Sequence, residues 1–192
     1  MYVKDHYRTY SSDDSGTVPG AVSPHPEALL TVKGEQGNIE VLLRTLEPDD
    51  QARSLVLNSW SRAVSEDSPW GRRVNDSGAG GHGHPTPLPP HVILHHHVTL
   101  LKELIPGTVI RLICDPGQPD IIWGYVSFEE DCLHWCYVKG AFRGYGLGSL
   151  LLDESGMRGA EVTVSHRTRS LYEHWPGVRF KWNPYRMIKW RR

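Results

Sequence analysis

The chain alternates between short runs of β-branched or aromatic residues and longer stretches in which apolar residues recur every three or four positions. The short runs predict strands, because such side chains pack well on a pleated surface. These strands are predicted at residues 39–44, 108–114, 121–128, 133–138 and 160–165, with a closing hairpin of 178–182 and 185–190. The longer period predicts helices that bury one face. These helices are predicted at residues 48–63, 91–105, 147 onward and 169–175.

The first two helices carry the clearest buried faces. Pro48 suits the first helical position, and Asp49 and Asp50 would lie in the first turn, where the helix dipole favours negative charge. The face that this helix buries is predicted to contain Ala52, Leu55, Val56, Trp60 and Ala63. The second helix is predicted to bury a stripe made of Leu94, Val98, Leu101 and Ile105.

The 192 residues suit a single domain with an added N-terminal segment. Residues 1–38 are rich in Ser, Asp, Gly and Pro, which predicts an extension that is disordered alone or ordered by packing on a partner. Residues 39–192 are predicted to form one α/β domain, interrupted by a long loop at 64–90 that contains Gly and Pro clusters.

Overall charge and cysteine usage limit the environment. A formal net charge of -1 gives no reason to expect attraction of the whole chain to nucleic acid or to a membrane. No apolar run has the length of a transmembrane helix, and the start lacks the basic-then-apolar pattern of a secretory signal. Three cysteines, without a Cys-x-x-Cys pair, favour free thiols. We therefore expect a cytoplasmic protein.

A glycine-rich loop links the strand at 133–138 to an apolar helix that starts near Leu147. Its glycines, Gly144, Gly146 and Gly148, remove Cβ atoms where another group would come close. Together with basic Arg143 and the amides of a helix N-terminus, they predict a phosphate-binding site. The spacing fits neither a P-loop nor the dinucleotide-binding Gly-x-Gly-x-x-Gly pattern. The alternative is a tight strand-to-helix turn in which the glycines serve sterics alone.

Arg143, Gly146 and Gly148 fill the fixed places of the pattern Arg/Gln-x-x-Gly-x-Gly/Ala, with a strand before it and a leucine-rich helix after it. In this the chain resembles the GNAT superfamily of N-acetyltransferases over residues 39–192, and among its members the small proteins encoded by tailed bacteriophages. The resemblance implies a mixed, mostly antiparallel central sheet flanked by helices. It also implies acetyl-CoA as cofactor, an amine-bearing small molecule or protein as acceptor, and the cytoplasm of a bacterial host if the protein is encoded by a phage.

The resemblance also assigns residues to the cofactor. It places the pantetheine arm along Cys136, Tyr137 and Val138 of the central strand. The pyrophosphate falls to the loop beside Arg143, at the amides of Gly144, Tyr145, Gly146, Gly148 and Ser149. Many relatives carry Asn where this chain has Ser165, which is therefore grouped with the cofactor site.

The catalytic roles follow from the same resemblance. Tyr172 takes the place of the tyrosine that protonates the leaving thiolate, although Val178 stands where relatives have Phe and the spacing is one residue longer. The general base is expected at His134 or at Glu129 or Glu130, which precede it. An ordinary core role for Tyr172 and for His134 is the alternative.

Other functions stay open alongside acetyl transfer. One is a non-catalytic GNAT-like scaffold or component of a phage particle, assembled or oligomerised through residues 1–38. Another is modification of nucleic acid, which the basic and aromatic residues near the C-terminus could bind, and it is the less favoured. Of the eleven histidines, His91 and His95 have the i, i+4 spacing of a metal-chelating pair but lack the Glu of a His-Glu-x-x-His motif, so no metal site is assigned.

Overall fold

The computed structural model describes residues 27–67, 90–157, 161–166, 171, 175 and 177–188. Seven strands form one sheet whose order follows the sequence. The strands are β1 (Ala28–Gly34), β2 (Gly37–Thr45), β3 (Val109–Cys114), β4 (Ile122–Glu129), β5 (Cys132–Val138), β6 (Glu161–Val164) and β7 (Arg179–Trp182). Neighbours are antiparallel from β1 to β5, and β5, β6 and β7 run parallel.

Helices cover both faces of this sheet. The structure describes α1 (Ala52–Asp67), α2 (Pro90–Leu104) and α3 (Leu147–Glu154). One apolar core lies between the sheet and the α1–α2 pair, around Trp60 and Tyr125, and the other lies beneath α3, around Leu147 and Leu151. This confirms the predicted α/β class with a mixed, mostly antiparallel sheet flanked by helices. Among the described helices, none has the length and apolar character needed to cross a bilayer.

The face predicted for α1 is buried, whereas the stripe predicted for α2 needs correction. Val56 and Trp60 of α1 are fully buried. In α2 the predicted Leu94 is exposed, and His97 lies in the buried face with Leu101 and Leu104. A histidine can replace an aliphatic residue on such a face when its neighbours are aromatic rings, as they are here. Of the predicted stripe, Leu101 and Ile105 are buried and Val98 is half-buried, so that only Leu94 is wrong.

The first helix starts and ends later than predicted. It begins at Ala52, after a turn at residues 48–51. The Asp50 carboxylate accepts the backbone N–H of Ala52 at 2.7 Å, as a residue that caps the start of a helix does. It continues to Asp67, four residues into the loop predicted at 64–90. The rest of that loop, residues 68–89, lies outside the described part of the chain.

The domain also starts earlier than the boundary predicted at residue 38. Residues 28–34 form the edge strand β1, which pairs with β2 along its whole length from Ala28↔Leu43 to Gly34↔Gly37. Its short apolar sequence is sufficient because an edge strand packs only one face against the core. The rest of the predicted extension, residues 1–26, lies outside the described residues.

The predicted closing hairpin is replaced by a different arrangement. β7 pairs in parallel with β6, from Glu161↔Arg179 to Val164↔Trp182, and the chain then turns through the 3-10 helix Pro184–Met187. Proline at the first position of that turn has no N–H to offer a second strand. Basic residues here are partly neutralised, since Arg186 binds Glu129 at 3.2 Å as well as Asp131. Nucleic-acid binding by the basic residues near the C-terminus stays a prediction, since residues 189–192 lie outside the described part of the chain.

The β1–β2 hairpin lies directly against the glycine-rich loop. The backbone N–H of Gln36 donates to the carbonyl of Gly144 at 3.3 Å. A Cβ built on Gly34 would lie 2.3 Å from the backbone carbonyl carbon of Tyr145. The hairpin and the loop therefore fit together only because residue 34 has no side chain.

We expect Gly34→Ala to lower the free energy of unfolding by about 1–3 kcal/mol, because the methyl group would meet backbone that cannot rotate away. Urea unfolding followed by circular dichroism measures the change. Gly140→Ala is the matched control, since a Cβ there has nothing within 4 Å. Equal stability of the two variants would contradict the close contact.

Candidate functional site

The parallel strands β5 and β6 are in register at one position only. Leu133 pairs with Val164, and the backbone N–H of Ser165 donates to the carbonyl of Leu133 at 3.2 Å. Beyond this point the described part of β6 provides no partner for residues 134–138 of β5. Ser165 and His166 still lie beside His134 and Trp135, and residues 167–170 after them lie outside the described part of the chain. Within the described residues, 136–138 are thus the part of β5 that has no strand partner on this side, and we call them the open edge of β5. Such an edge can pair with an added extended chain.

A β-bulge at His134 directly follows this contact. Ser127 of β4 pairs with Trp135, and Phe128 pairs with Leu133, so that His134 is the extra residue. The bulge directs Leu133 into the core beneath α3 and Trp135 into the core beneath α1 and α2. Bulges near functional sites re-aim side chains in this way.

His134 and two residues after β6 form a hydrogen-bonded chain. The hydroxyl of Ser165 lies 2.9 Å from Nδ1 of His134 and 2.8 Å from Nδ1 of His166. All three side chains are buried; His134 and Ser165 are each 1% exposed. A bulged strand and a strand end thus bring two imidazole rings to opposite sides of one hydroxyl group.

Aromatic rings from both helices surround His166. Its ring centre lies 5.2 Å from Trp60 of α1, 5.3 Å from His97 of α2 and 5.5 Å from Trp135 of β5. Trp60 and Trp135 also stack on each other at 5.7 Å. We call His97, His134, Ser165 and His166 the histidine cluster, and these four residues come from α2, from β5 and from the turn after β6.

Burial keeps the inner histidines neutral. It lowers the pKa of His97 to about 4, and it lowers the pKa of His166 well below the ordinary value. The proximity of His97 and His134 further disfavours charge on His166. At neutral pH both rings therefore have an unprotonated nitrogen and can accept a proton.

The outer end of the cluster meets a carboxylate. Nε2 of His134 lies 3.8 Å from Oε1 of Glu129, at the end of β4. That distance is too long for a hydrogen bond, and it is an ion pair only when His134 is protonated. Glu129 also binds Arg186, whereas Glu130 is exposed in the following turn. Of the two carboxylates predicted as bases, only Glu129 therefore contacts the cluster.

Several buried nitrogen atoms around His166 lack hydrogen-bond partners within the part of the chain that the structure describes. They are Nε1 of Trp60, Nε2 of His97, Nε1 of Trp135 and Nε2 of His166. Buried polar groups are nearly always paired, so that four unpaired nitrogens in one cluster distinguish it from an ordinary apolar core. This is the polar centre of the α1–α2 face of the sheet.

Two positions of the glycine-rich loop require glycine on steric grounds. Gly144 and Gly146 adopt positive φ angles of 85° and 80°. A Cβ on Gly146 would approach the carbonyl of Lys33 to 2.9 Å. The tight turn that the sequence offered as an alternative is thus present at both positions.

The start of α3 nevertheless fits an anion. Gly146 caps the helix without a side-chain hydrogen bond, which leaves its first N–H groups without a side-chain acceptor. Gly148 would accept a Cβ at an ordinary 3.5 Å from Trp175, so close packing within the protein does not require glycine there. Ser149 and Arg143 are exposed, and Arg143 donates to the carbonyl of Val138 at 3.3 Å. These residues have the exposure and the charge that suit a pyrophosphate. Of the three glycines predicted for this site, Gly144 and Gly146 are explained by the tight turn, and Gly148 is not.

The remaining predicted residues lie around this edge. Cys136, Tyr137 and Val138 are half-buried on the open edge of β5. Burial raises the pKa of Cys136 to about 12, so its thiol is neutral and is not a nucleophile. Ser165 binds the histidines, which gives it a role other than the cofactor contact predicted for it. Tyr172 lies outside the described residues, and its role stays a prediction.

Sequence reasoning missed His97 and His166. His166 directly follows a strand and a buried serine, and His97 lies one helical turn before Leu101, yet neither pattern is specific without the fold. The histidine pair that had metal-ligand spacing, His91 and His95, is exposed. Within the described residues, no group of three or more ligand side chains is arranged to hold a metal ion.

The pKa of His97 predicts that stability depends on pH. The unfolded chain binds a proton near pH 6.5 and the folded chain only near pH 4, so this contribution is complete above pH 6.5 and is lost as the pH falls to 4. We expect the free energy of unfolding to decrease by roughly 3 kcal/mol over that range on account of His97. Denaturant titrations at pH 7 and pH 4.5 measure it.

His97→Phe should reduce this pH dependence because it keeps a ring against His166 and cannot titrate. His95→Phe, on the exposed side of the same helix, is the control and should behave like the wild type. If the His97 variant keeps the full dependence on pH, the burial of a neutral His97 is contradicted.

Comparison with known proteins identifies no family for this chain. No family model, no curated protein and no solved structure matches it. Its function is therefore argued from the geometry of the open strand edge and of the histidine cluster.

Proposed function

We propose that the protein is an acetyl-CoA-dependent N-acetyltransferase that acts on an amine of a small molecule or a protein. The observation that carries this proposal is that β6 pairs with β5 only at Leu133↔Val164 among the described residues, which leaves residues 136–138 without a strand partner on that side. This open edge of β5 lies between the histidine cluster and the glycine-rich loop. A ligand with an extended amide-containing arm and a phosphate end matches those two features in that order.

The open edge of β5 would hold the pantetheine arm. Among the described residues, no strand pairs with residues 136–138 on the side of β6, so an added chain could bind there. The carbonyl of Val138 already accepts from Arg143 at 3.3 Å. Cys136 and Val138 pack toward the core beneath α3, and Tyr137 packs toward the core on the opposite face. The side chains thus stand above and below the edge and leave its backbone accessible.

The start of α3 would hold the pyrophosphate. Amides of Gly148 and Ser149 lie in the first helical turn, where the helix dipole is positive. Arg143 adds a fixed positive charge on the surface of the same loop. Acetyl-CoA supplies an activated thioester when bound, and the contribution of these residues is to bind and orient it.

Acetyl transfer requires an amine without its extra proton. The cluster offers neutral imidazole nitrogens at the same end of the open edge, and the surrounding indole rings exclude bulk water from them. Binding and proton acceptance are therefore adjacent. Holding the bound thioester close to a proton acceptor would lower the barrier to reaction.

A non-catalytic scaffold is the second candidate. The close fit of Gly34 and Gly146 to backbone atoms favours it, because packing explains those glycines without any ligand. A scaffold would keep the loop and the hairpin but would have no need for exposed amides at the start of α3. Acetyl-CoA binding distinguishes the two functions directly.

Calorimetry with acetyl-CoA, using the full chain, tests the proposal. We expect saturable binding, and we expect Ser149→Asp to weaken the affinity at least about tenfold, because its carboxylate would lie beside the phosphates. The fold should survive, since Asp in the first turn of a helix is favourable and Ser149 is exposed. Ser149 is a better probe than Gly146, where any side chain would meet the carbonyl of Lys33.

Ser149→Asn is the matched control for this experiment, since it has nearly the same shape as Asp without the charge. It should bind acetyl-CoA like the wild type. If the wild-type protein shows no binding, the acetyltransferase is rejected and the scaffold is favoured. Equal binding by the Asp and Asn variants would place the phosphates elsewhere.

A further inference from the structure

We infer that Ser165 links His134 and His166 into a proton relay whose inner end, Nε2 of His166, is the atom that accepts a proton. The relay runs from the buried cluster to Glu129 near the surface. As the base for an amine, it rests on the proposed acetyltransferase function. Its hydrogen-bond polarity is a property of the protein alone and can be tested separately.

The polarity of the relay follows from the number of protons. One serine hydroxyl has one proton, so Ser165 can donate to only one of the two Nδ1 atoms that lie within 2.9 Å of it. It must accept from the other. In neutral rings, one histidine therefore has its proton on Nδ1 and the other has it on Nε2.

The position of Glu129 indicates which histidine has its proton on Nδ1 and which has it on Nε2. Its carboxylate lies 3.8 Å from Nε2 of His134 and favours a proton on that nitrogen. Nδ1 of His134 is then an acceptor, and the Ser165 hydroxyl donates to it. Ser165 accepts in turn from Nδ1–H of His166, so that Nε2 of His166 has a free lone pair.

The surroundings of His166 agree with this assignment. Nε2 of His166 is buried and has no hydrogen-bond partner among the described residues. The groups packed around the ring are neutral: Trp60 from α1, His97 from α2 and Trp135 from β5. Nε2 of His166, the proposed base, thus faces a buried polar cluster. The half-buried carboxylate of Glu129 lies at the opposite end of the relay, beside His134.

When a proton passes through the relay, each hydrogen bond in it reverses direction, and every ring is neutral again. A proton binds Nε2 of His166, and the proton on its Nδ1 moves to the oxygen of Ser165. The serine proton moves to Nδ1 of His134, and the proton on Nε2 of His134 leaves toward the carboxylate of Glu129, 3.8 Å away. One proton enters and one leaves, so the buried rings never retain a charge, whose desolvation would be costly.

NMR of the full chain labelled with ¹⁵N-histidine tests the polarity at pH 7. We expect His166 to have its proton on Nδ1 and His134 to have it on Nε2, with His134→Gln and His166→Gln spectra assigning the signals. Ser165→Ala should abolish the Nδ1–H form of His166, because its acceptor is gone. Ser155→Ala is the matched control: this serine is also buried, but it donates to Leu152.

Glu129→Gln provides a second variant that does not disturb the buried site, since Glu129 is only half-buried. We expect it to reduce the Nε2–H form of His134. Wild-type spectra with the proton of His166 on Nε2 would overturn the relay. Spectra that are unchanged in both Ser165→Ala and Glu129→Gln would overturn it as well.

The two proposals fail in different experiments. Acetyl-CoA binding without the expected tautomers would reject the relay and keep the acetyltransferase. The expected tautomers without acetyl-CoA binding would keep the relay and reject the acetyltransferase. When both hold, His166→Gln should slow release of CoA from acetyl-CoA in water by about 10²–10⁴-fold, the usual contribution of a general base.

Discussion

The single in-register contact between β5 and β6 is the constraint on which the site depends. Leu133 and Val164 are both fully or almost fully buried in the core beneath α3, so the two strands are fixed at that point, and Ser165 and His166 continue beside His134 and Trp135. A longer ladder would close the edge of β5 and would bury the backbone groups of residues 136–138. The bulge at His134 directly follows this contact and directs a polar side chain away from the apolar core.

Stability on one side of the sheet is coupled to the glycine-rich loop through β1. This edge strand is held by pairing along its whole length with β2, and its last residue, Gly34, fits against the backbone of Tyr145. The loop is therefore held by the sheet and has little freedom to rearrange. A rigid loop suits either a preorganised anion site or a structural turn, because both need fixed backbone positions.

The histidine cluster, in contrast, lowers the stability of the fold. Neutral imidazole rings beneath α1 and α2 make the fold less stable in acid, and unpaired nitrogens cost further free energy. An aliphatic core would avoid both costs. Unfavourable burial of titratable groups is concentrated at functional sites, which is the physical reason to place function at this cluster.

The sequence by itself determined the presence of β2 to β7 and of α1, α2 and α3, the buried face of α1 and the strand–loop–helix unit at residues 133–154, because each depends on local periodicity and turn chemistry. Most of the predicted helix at residues 169–175 lies outside the described residues. The sequence could not determine that residues 28–34 form an edge strand, since a short apolar run needs a neighbour to become β structure. It also could not join His97, His134 and His166, which lie far apart along the chain. Only tertiary structure decided those contacts, through the register of β5 with β6, the bulge at His134 and the packing of α2 on the sheet.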